Sequence, residues 1–337
     1  MSNTTNFRMA AIQAASILFD KTASTDKACT LIAEAGKKGV DIAAFGETWL
    51  PGYPFWDPFW VEGQICDLTW EASAAYLENA IEIPGPETDA LCAAAKAASV
   101  DVIIGVAERD PFTEGTTYCT ALTIGREGVI LNRHRKLKPT HAERIIWGDG
   151  DAVGLTTDER PYGRISALNC WEHQMMLPGY VLAAQGTQIH AALWPGWEKT
   201  PSVGEYCWAR QHLLSRAFAS QAGAYVICAA GLRLDKHIPE RWRALGVWEH
   251  TGQSAIIDPR GEIIATAGSD EEILVAEGSL DVVRAAKAAC DIAGHYSRPD
   301  IFKLTVNARP EAPRVHFNLD EAPDEDAFDN WPSDAQD

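Results

Sequence analysis

Short apolar runs alternate along this chain with stretches in which apolar positions recur every three or four residues. The first pattern predicts buried strands and the second amphipathic helices. In the first half, residues 7–15 (FRMAAIQAA), 40–46 (VDIAAFG), 101–108 (DVIIGVAE), 118–125 and 129–135 read as strands, the last two joined at Arg126-Glu127-Gly128. In the second half, residues 162–169, 188–194, 224–230 and 275–280 do so, and 246–258 pairs with 262–267 as a hairpin around Pro259-Arg260-Gly261. Helices are predicted over 23–38, 69–80, 87–98, 175–185, 203–223 and 282–290. Thr25 or Asp26 caps the first, with Cys29, Ile32, Ala33 and Gly36 on one face. Leu91, Ala94 and Ala95 turn inward on the third, and Tyr206, Leu213, Leu214, Ala217 and Phe218 form the apolar side of 203–223. Pro178 and Gly179 are potential interruptions of 175–185.

Strands joined by packed helices, with no Gly/Ser-rich or charged linker, predict one α/β domain of two similar halves over residues 1–290. A C-terminal arm at 291–319 and an acidic tail at 320–337 follow. Two segments break the pattern. Residues 48–65 carry Trp49, Tyr53, Phe55, Trp56, Phe59 and Trp60 among Pro51, Pro54 and Pro58, which rules out a regular helix. Those rings must be buried, either in a pocket wall or in a subunit interface. Residues 135–154 (RKLKPTHAERIIWGDGDAVG) are a polar loop.

Length and charge narrow the class of protein. A chain of 337 residues buries a sizeable core without metal or disulfide staples. A net charge of -18 argues against nucleic acid or an anionic membrane as partner. Part of that charge is local, since residues 320–337 hold six Asp, two Glu and no Lys or Arg, as in a disordered solubilising tail or an acidic interaction tail. The eight cysteines are too widely spaced for a disulfide framework or a local Cys-x-x-Cys motif. No apolar signal core begins the chain and no apolar run has transmembrane length, so a cytoplasmic location with reduced thiols is expected.

Three polar residues stand where strands end: Glu47, Lys136 and Cys170. In α/β sheets, sites gather outside strand ends. A thiol nucleophile needs a base to take its proton and a cation or N–H groups to hold developing charge, and these residue types supply both. Each alone has a plainer reading: a buried structural cysteine, a solvated carboxylate, a surface lysine in the run His134-Arg135-Lys136-Leu137-Lys138. Other patterns fail. His141-Ala142-Glu143 lacks the Pro-Cys-x-x-Cys of zinc deaminases, and Gly148, Gly150 and Gly154 are wrongly spaced for a dinucleotide fingerprint. There is no Gly-x-Ser-x-Gly elbow, no phosphate loop and no close cysteine cluster of the kind a metal-dependent nitrile hydratase needs, so no cofactor or metal is expected.

Taken together, Phe45-Gly46-Glu47-Thr48, residues 135–144 (RKLKPTHAER) and Asn169-Cys170-Trp171-Glu172-His173 resemble the Glu-Lys-Cys motifs of the nitrilase superfamily of carbon-nitrogen hydrolases. Cys-Trp-Glu-His, Pro51-Gly52-Tyr53-Pro54, Trp147-Gly148-Asp149-Gly150-Asp151 and residues 294–300 (GHYSRPD) are similar to its true nitrilase branch, whereas amidase branches usually carry other residues after the cysteine. The resemblance runs in order from about Arg8 to Leu304. It implies a four-layer α-β-β-α sandwich and hydrolysis of an organic nitrile to acid and ammonia. It implies Cys170 as nucleophile, Glu47 as general base, Lys136 as stabiliser of the tetrahedral species and Glu143 as a second carboxylate acting on water. The Trp171 N–H is implied in an oxyanion role. Tyr53, Trp171, His173, Trp194 and Pro195 are candidate substrate contacts, although His173 also reads as a structural histidine and residues 194–197 as core. Glu172 is expected to pair with Arg144 or His141. The resemblance further implies homodimers that extend into spirals, with the C-terminal arm at the interface. An amidase or a cyanide-degrading relative is the alternative enzyme. An inactive scaffold is the remote one, against which the intact Glu47, Lys136 and Cys170 count.

Overall fold

The computed structural model describes residues 5–54, 56, 66–197, 205–245 and 249–308. In chain order these form β1 (Asn6–Gln13), α1 (Lys21–Lys37), β2 (Ile42–Phe45), α2 (Cys66–Asn79), α3 (Pro86–Ala98), β3 (Asp101–Arg109), β4 (Thr117–Gly125) and β5 (Val129–Arg135). Then come β6 (Asp158–Arg160), β7 (Gly163–Asn169), α4 (Met176–Ala184), β8 (Ile189–Trp194), α5 (Glu205–Ala222), β9 (Tyr225–Ala230), β10 (Leu232–Arg233), β11 (His250–Thr251), β12 (Ala255–Ile257), β13 (Ile263–Thr266), β14 (Glu272–Ser279) and α6 (Leu280–Ala289). One six-stranded sheet has the order β14-β1-β2-β3-β4-β5, a second the order β13-β12-β9-β8-β7-β6, and β10 and β11 form a separate ribbon. The β1-β2-β3 and β7-β8-β9 pairs are parallel, so the ends of β2, β7 and β8 carry their following residues to the same kind of edge.

Side-chain alternation builds the layers. Met9, Ala11, Ile42, Ala44 and Ile103 of the first sheet face Ile165, Ala167, Ile189, Ala191 and Ile227 of the second in one buried cluster. The opposite face of the first sheet (Ala10, Ile12, Ala43, Val102, Ile104) packs on Ala28, Ile32 and Ala35 of α1 and Leu91 and Ala95 of α3. The opposite face of the second sheet (Leu168, Ala192, Val226, Cys228) packs on Leu182 and Ala183 of α4 and Leu214, Phe218 and Ala222 of α5. The expected four-layer α-β-β-α sandwich is therefore present.

Several local expectations need correction. The N-cap of α1 is Asp20, whose carboxylate accepts from Ala23 N at 2.9 Å; the Thr25 hydroxyl instead donates to Lys21 O. The buried stripe of α1 runs through Ala28, Ile32 and Ala35, leaving Ala33 exposed, while Gly36 meets Ala98 of α3. Leu213 of α5 is likewise exposed, and the stripe there is Leu214, Ser215, Phe218, Ala219 and Ala222; the side chain of Tyr206 lies outside the described residues. Of the strand expected over 246–258, residues 246–248 lie outside the described residues and the rest is two short pieces, because Gly252 and Gln253 take φ of +74° and +67° and break the ladder. Pro178 does not interrupt α4, since it sits in the first turn where a missing N–H costs nothing.

Of the aromatic segment, Phe55, Phe59 and Trp60 lie outside the described residues. Trp49 and Trp56 are buried within the chain itself. Trp49 donates to Ala14 O at 2.7 Å, and Trp56 packs with Phe19 and Tyr76. Residues 291–308 follow α6 as a largely exposed segment, and 320–337 lie outside the described residues. No helix among the described residues is long and apolar enough to cross a membrane.

Candidate active site

The ends of β2, β8 and β9 and the middle of β3 converge so closely that side chains are excluded. A Cβ on Gly46 would stand 2.6 Å from Gly231 N and 2.7 Å from Trp194 O, and one on Gly105 would stand 2.3 Å from Gly46 O. Glycine is the residue that permits this backbone approach. In return Glu47 N donates to Trp194 O at 3.0 Å, which anchors the end of β2 to the end of β8 in the other sheet.

Glu47, just beyond β2, is buried. Lys136, just beyond β5, is buried too, and its own N–H donates to Cys119 O of β4 at 2.7 Å. The Lys136 ammonium donates to Glu47 Oε1 at 2.6 Å and to Glu143 Oε2 at 2.7 Å. Glu143 comes from a 3-10 turn, His141–Ile145, capped by Thr140; Thr140 N donates to Glu143 Oε2 at 2.6 Å and the Tyr53 hydroxyl to Glu143 Oε1 at 2.6 Å. Burial alone would strip the charge from Lys136. Glu143 and Glu47 outweigh it and hold the ammonium well above its ordinary range. Burial, opposed by Lys136, lifts Glu47 to about 7. Its second oxygen, Oε2, is buried without a hydrogen-bond partner among the described residues.

Cys170 starts a 3-10 turn, Cys170–Gln174, at the end of β7, with φ of +46°, a left-handed conformation that costs a non-glycine residue about 1–2 kcal/mol. Its thiol is buried within the field of Glu47, Lys136 and Glu143. Burial and the neighbouring Glu47 push its pKa well up, while Lys136 and the Trp171 N–H against the sulfur pull the other way. The resting sulfur is therefore a thiol, beside a carboxylate whose free oxygen is able to take its proton.

A family model described as carbon-nitrogen hydrolase matches residues 8–288. The chain belongs to the carbon-nitrogen hydrolase family. It is 53% identical over 307 residues to a protein named Nitrilase 2 from an unidentified prokaryote, covering 90% of this chain and 93% of that one. It is 34% identical over 319 residues to an aliphatic nitrilase of Rhodococcus rhodochrous, covering 92% and 85%. Among solved structures, it resembles Saccharomyces cerevisiae Nit3, a nitrilase superfamily member, with a TM-score of 0.68 and 21% identity over 87% of this chain and 97% of that one. It also resembles the Caenorhabditis elegans NitFhit protein with a TM-score of 0.70 and 17% identity over 90% and 68%. At these identities the structural likeness concerns the fold.

In this carbon-nitrogen hydrolase, the four residues expected to act together, Glu47, Lys136, Glu143 and Cys170, are brought together. The expected substrate contacts separate into two groups. Tyr53 and Pro195 line a small cavity with Glu47, Gly231 and His250. The Trp171 side chain lies under the Arg210 guanidinium, 4.6 Å from its carbon, and edge-on to His141. The Trp194 indole is buried toward α5 and donates to Ser215 Oγ at 3.1 Å. His173 stacks on Trp194 at 5.5 Å and hydrogen-bonds Cys170 O. For Trp194 and His173 the surroundings are those of the layer between the second sheet and its helices.

Glu172 is corrected in its partners. Neither Arg144 nor His141 meets it: the Arg144 side chain donates to Pro139 O. Its carboxylate instead accepts from His134 Nε2 at 3.0 and 3.1 Å, from Leu137 N at 2.9 Å and from Asn169 N at 2.8 Å. Glu172 thus ties the His134 side chain and the Leu137 N–H, which lie on either side of Lys136, to the residue before Cys170. Burial works against this carboxylate, but His134 and the two N–H groups overcome it and hold its pKa below the ordinary value. Sequence reading also missed Cys119, whose thiol lies 3.4 Å from Glu47 Oε1. It shares strand parity with inward-facing Ala121 on β4, and the side-by-side order β2-β3-β4 in the first sheet brings it to Glu47.

Replacing Glu172 by Gln leaves one oxygen for donors on three sides. The expected loss is about 3 kcal/mol of stability at neutral pH, read as a lower denaturation midpoint. The folded carboxyl is held below its ordinary 4.5, so its contribution is present above that value and is lost as pH falls through the folded pKa. The deficit of Glu172→Gln should accordingly shrink in acid. An unchanged midpoint at neutral pH would mean that the clamp does not stabilise the fold.

Proposed function

We propose that the protein hydrolyses an organic nitrile to its carboxylic acid and ammonia through a covalent Cys170 intermediate. The observation that carries this reading is the Lys136 ammonium bridging Glu47 and Glu143 in a buried site that also holds the Cys170 thiol. Relatives of this chain over nine-tenths of its length bear the name nitrilase, which supports the nitrile as substrate.

The chemistry follows from the positions. Glu47 Oε2 takes the Cys170 proton as the sulfur attacks the nitrile carbon, giving a thioimidate; the proton passes to the nitrile nitrogen. Water adds to the thioimidate carbon, with a carboxylate accepting its proton, and a tetrahedral species forms. Lys136 and the Trp171 N–H hold charge developing on that species. The carboxylate returns that proton to the nitrogen, the proton of the new hydroxyl follows by the same route, ammonia leaves, and a thioester remains. A second water releases the acid and restores the thiol. Glu143, fixed by Tyr53, Thr140 and Lys136, keeps the ammonium in place and presents a carboxylate for the water steps. Trp147 packs edge-on and His250 tilted against the Tyr53 ring within this region, in favour of an aryl or arylaliphatic substrate. The same reading assigns the enzyme to the cytoplasm, where a catalytic thiol stays reduced.

Self-association is proposed on separate grounds. Met176, Leu177 and Leu213 on α4 and α5 are 83%, 62% and 59% exposed, and Phe302 in the C-terminal segment is 75% exposed. Apolar groups of this size suit an interface between copies of the chain.

Three measurements follow. Ammonia release from phenylacetonitrile, benzonitrile, an aliphatic dinitrile, cyanide and the matching amides should show turnover of nitriles with little on amides, and Cys170→Ala should lose it by at least about a thousandfold. Turnover of amides alone, or an active Cys170→Ala, would overturn the reading. The base must be ionised to act, so kcat/KM should fall on the acid side with an apparent pKa near the value of about 7 for Glu47; an acid limb near 4.5 would contradict it. Light scattering at micromolar concentration should give at least a dimer mass, and a single monomer mass would rule out the interface.

A further inference from the structure

Two buried or half-buried histidines behind Cys170 have no part in the chemistry above. His173 Nδ1 lies 2.7 Å from Cys170 O, and His173 Nε2 lies 3.0 Å from His190 Nε2. His190 Nδ1 lies 2.8 Å from Ser166 Oγ, which accepts from the Thr187 hydroxyl at 2.7 Å. Ser166, Thr187 and His190 are buried, each at 3% exposure or less. The rings are held by stacking, His190 on Phe218 at 3.9 Å and His173 on Trp194 at 5.5 Å.

Every proton in this row has one possible place. A carbonyl oxygen only accepts, so His173 Nδ1 carries hydrogen. In a neutral imidazole the other nitrogen is then an acceptor, so His190 Nε2 must carry the hydrogen between the rings. His190 Nδ1 is in turn an acceptor, filled by the Ser166 hydroxyl, whose oxygen accepts from Thr187. Burial agrees, holding His173 down at about 4 and His190 well below its usual range, so both rings are neutral at physiological pH. A second proton would set two N–H groups against each other at 3.0 Å. All four hydrogen bonds therefore point the same way, toward Cys170 O.

That oxygen belongs to the same peptide unit as the Trp171 N–H, which lies against the Cys170 sulfur. Hydrogen bonds aligned in series polarise one another, and a carbonyl that accepts a bond makes its own N–H a stronger donor. We propose that Thr187, Ser166, His190 and His173 form a one-directional chain that polarises the Cys170–Trp171 peptide and strengthens the Trp171 N–H as donor to the reacting centre. The proposal rests on the oxyanion role given to that N–H under the nitrile reading. His173 and His190 are then positioning residues. The chain also holds the carbonyl of a residue at φ +46°, and with it the orientation of that peptide unit.

Ser166 is the link to cut, because Ser166→Ala removes one hydroxyl and little volume. The readout is kcat per competent site, normalised to the fraction of Cys170 alkylated by iodoacetamide in peptide mass spectrometry. Ser166→Ala should lower it about tenfold, a part of the 10²–10³ that loss of a whole oxyanion donor costs. KM should stay within about twofold, since the ground-state contacts are untouched. Ser166→Thr, which keeps the hydroxyl, should restore it. In a His173→Leu background Ser166→Ala should cost nothing further, because the chain is already broken. Wild-type kcat in Ser166→Ala, or an undiminished loss in the His173→Leu background, would overturn the proposal. A nitrogen-15 spectrum of the histidines in the resting wild-type protein gives the second test. Hydrogen on Nδ1 of His173 and Nε2 of His190 is expected, and the opposite tautomers would overturn the chain. That spectrum needs no substrate, so it stands even where the nitrile reading fails on the panel.

Discussion

A buried ammonium between two buried carboxylates governs how this molecule is built. Taking Lys136 out of water is costly unless its charge is met on more than one side, and Glu47 and Glu143 meet it at 2.6 and 2.7 Å. The three groups come from the end of β2, the end of β5 and a 3-10 turn beyond it. None is useful alone: a missing partner would leave an uncompensated charge in a dry interior. The close backbone contact at Gly46, Gly105 and Gly231 is what allows the β2 end to reach this point, and Thr140 and Tyr53 fix the far carboxylate. Burial, reinforced by the second carboxylate of Glu143 and only partly offset by Lys136, lifts Glu47 toward neutral pH, where a base can both take and return a proton.

Cys170 sits in the second sheet and Lys136 in the first, so the site depends on how the two sheets are registered. Two devices set that register. Glu47 N reaches Trp194 O across the junction, and Glu172 gathers His134, Leu137 N and Asn169 N on one carboxylate. The second device spans the residues flanking both Lys136 and Cys170. A shift of either sheet would break several charge-assisted hydrogen bonds at once, which is how a site on two separate layers is kept within the tolerance that chemistry demands.

Much of this was legible in the one-dimensional pattern. The strands at 7–15, 101–108 and 118–125 correspond to β1, β3 and β4, because largely buried strands leave continuous apolar runs that few other elements imitate, and 129–135 corresponds to β5, whose side chains are mostly half-buried or exposed. Glu47, Lys136 and Cys170 stood out because each is a polar group placed directly where such a run ends. Helix faces were read less well. Ala33 and Leu213 are exposed, since an alanine-rich or evenly apolar helix has no sharp stripe and its rotation is set by what it packs against. The hairpin around Pro259-Arg260-Gly261 is present as β12 against β13, but its first strand is shorter than expected, because positive φ at Gly252 and Gln253 replaces the ladder with a turn.

The sequence by itself determined the kinds of groups available and the strand ends at which they stand, because burial period and chain order are local properties. Only the tertiary structure decided their partners. Glu172 lies next to Cys170 in the chain and yet bonds to His134, Leu137 and Asn169; Cys119 lies beside Glu47 from 72 positions away; His190 meets His173 from 17 positions away. Such pairings arise from the stacking of two sheets and the register of their strands. A hydrogen bond depends on tenths of an ångström and on direction, and those are properties of packed layers that no residue carries in its own neighbourhood along the chain.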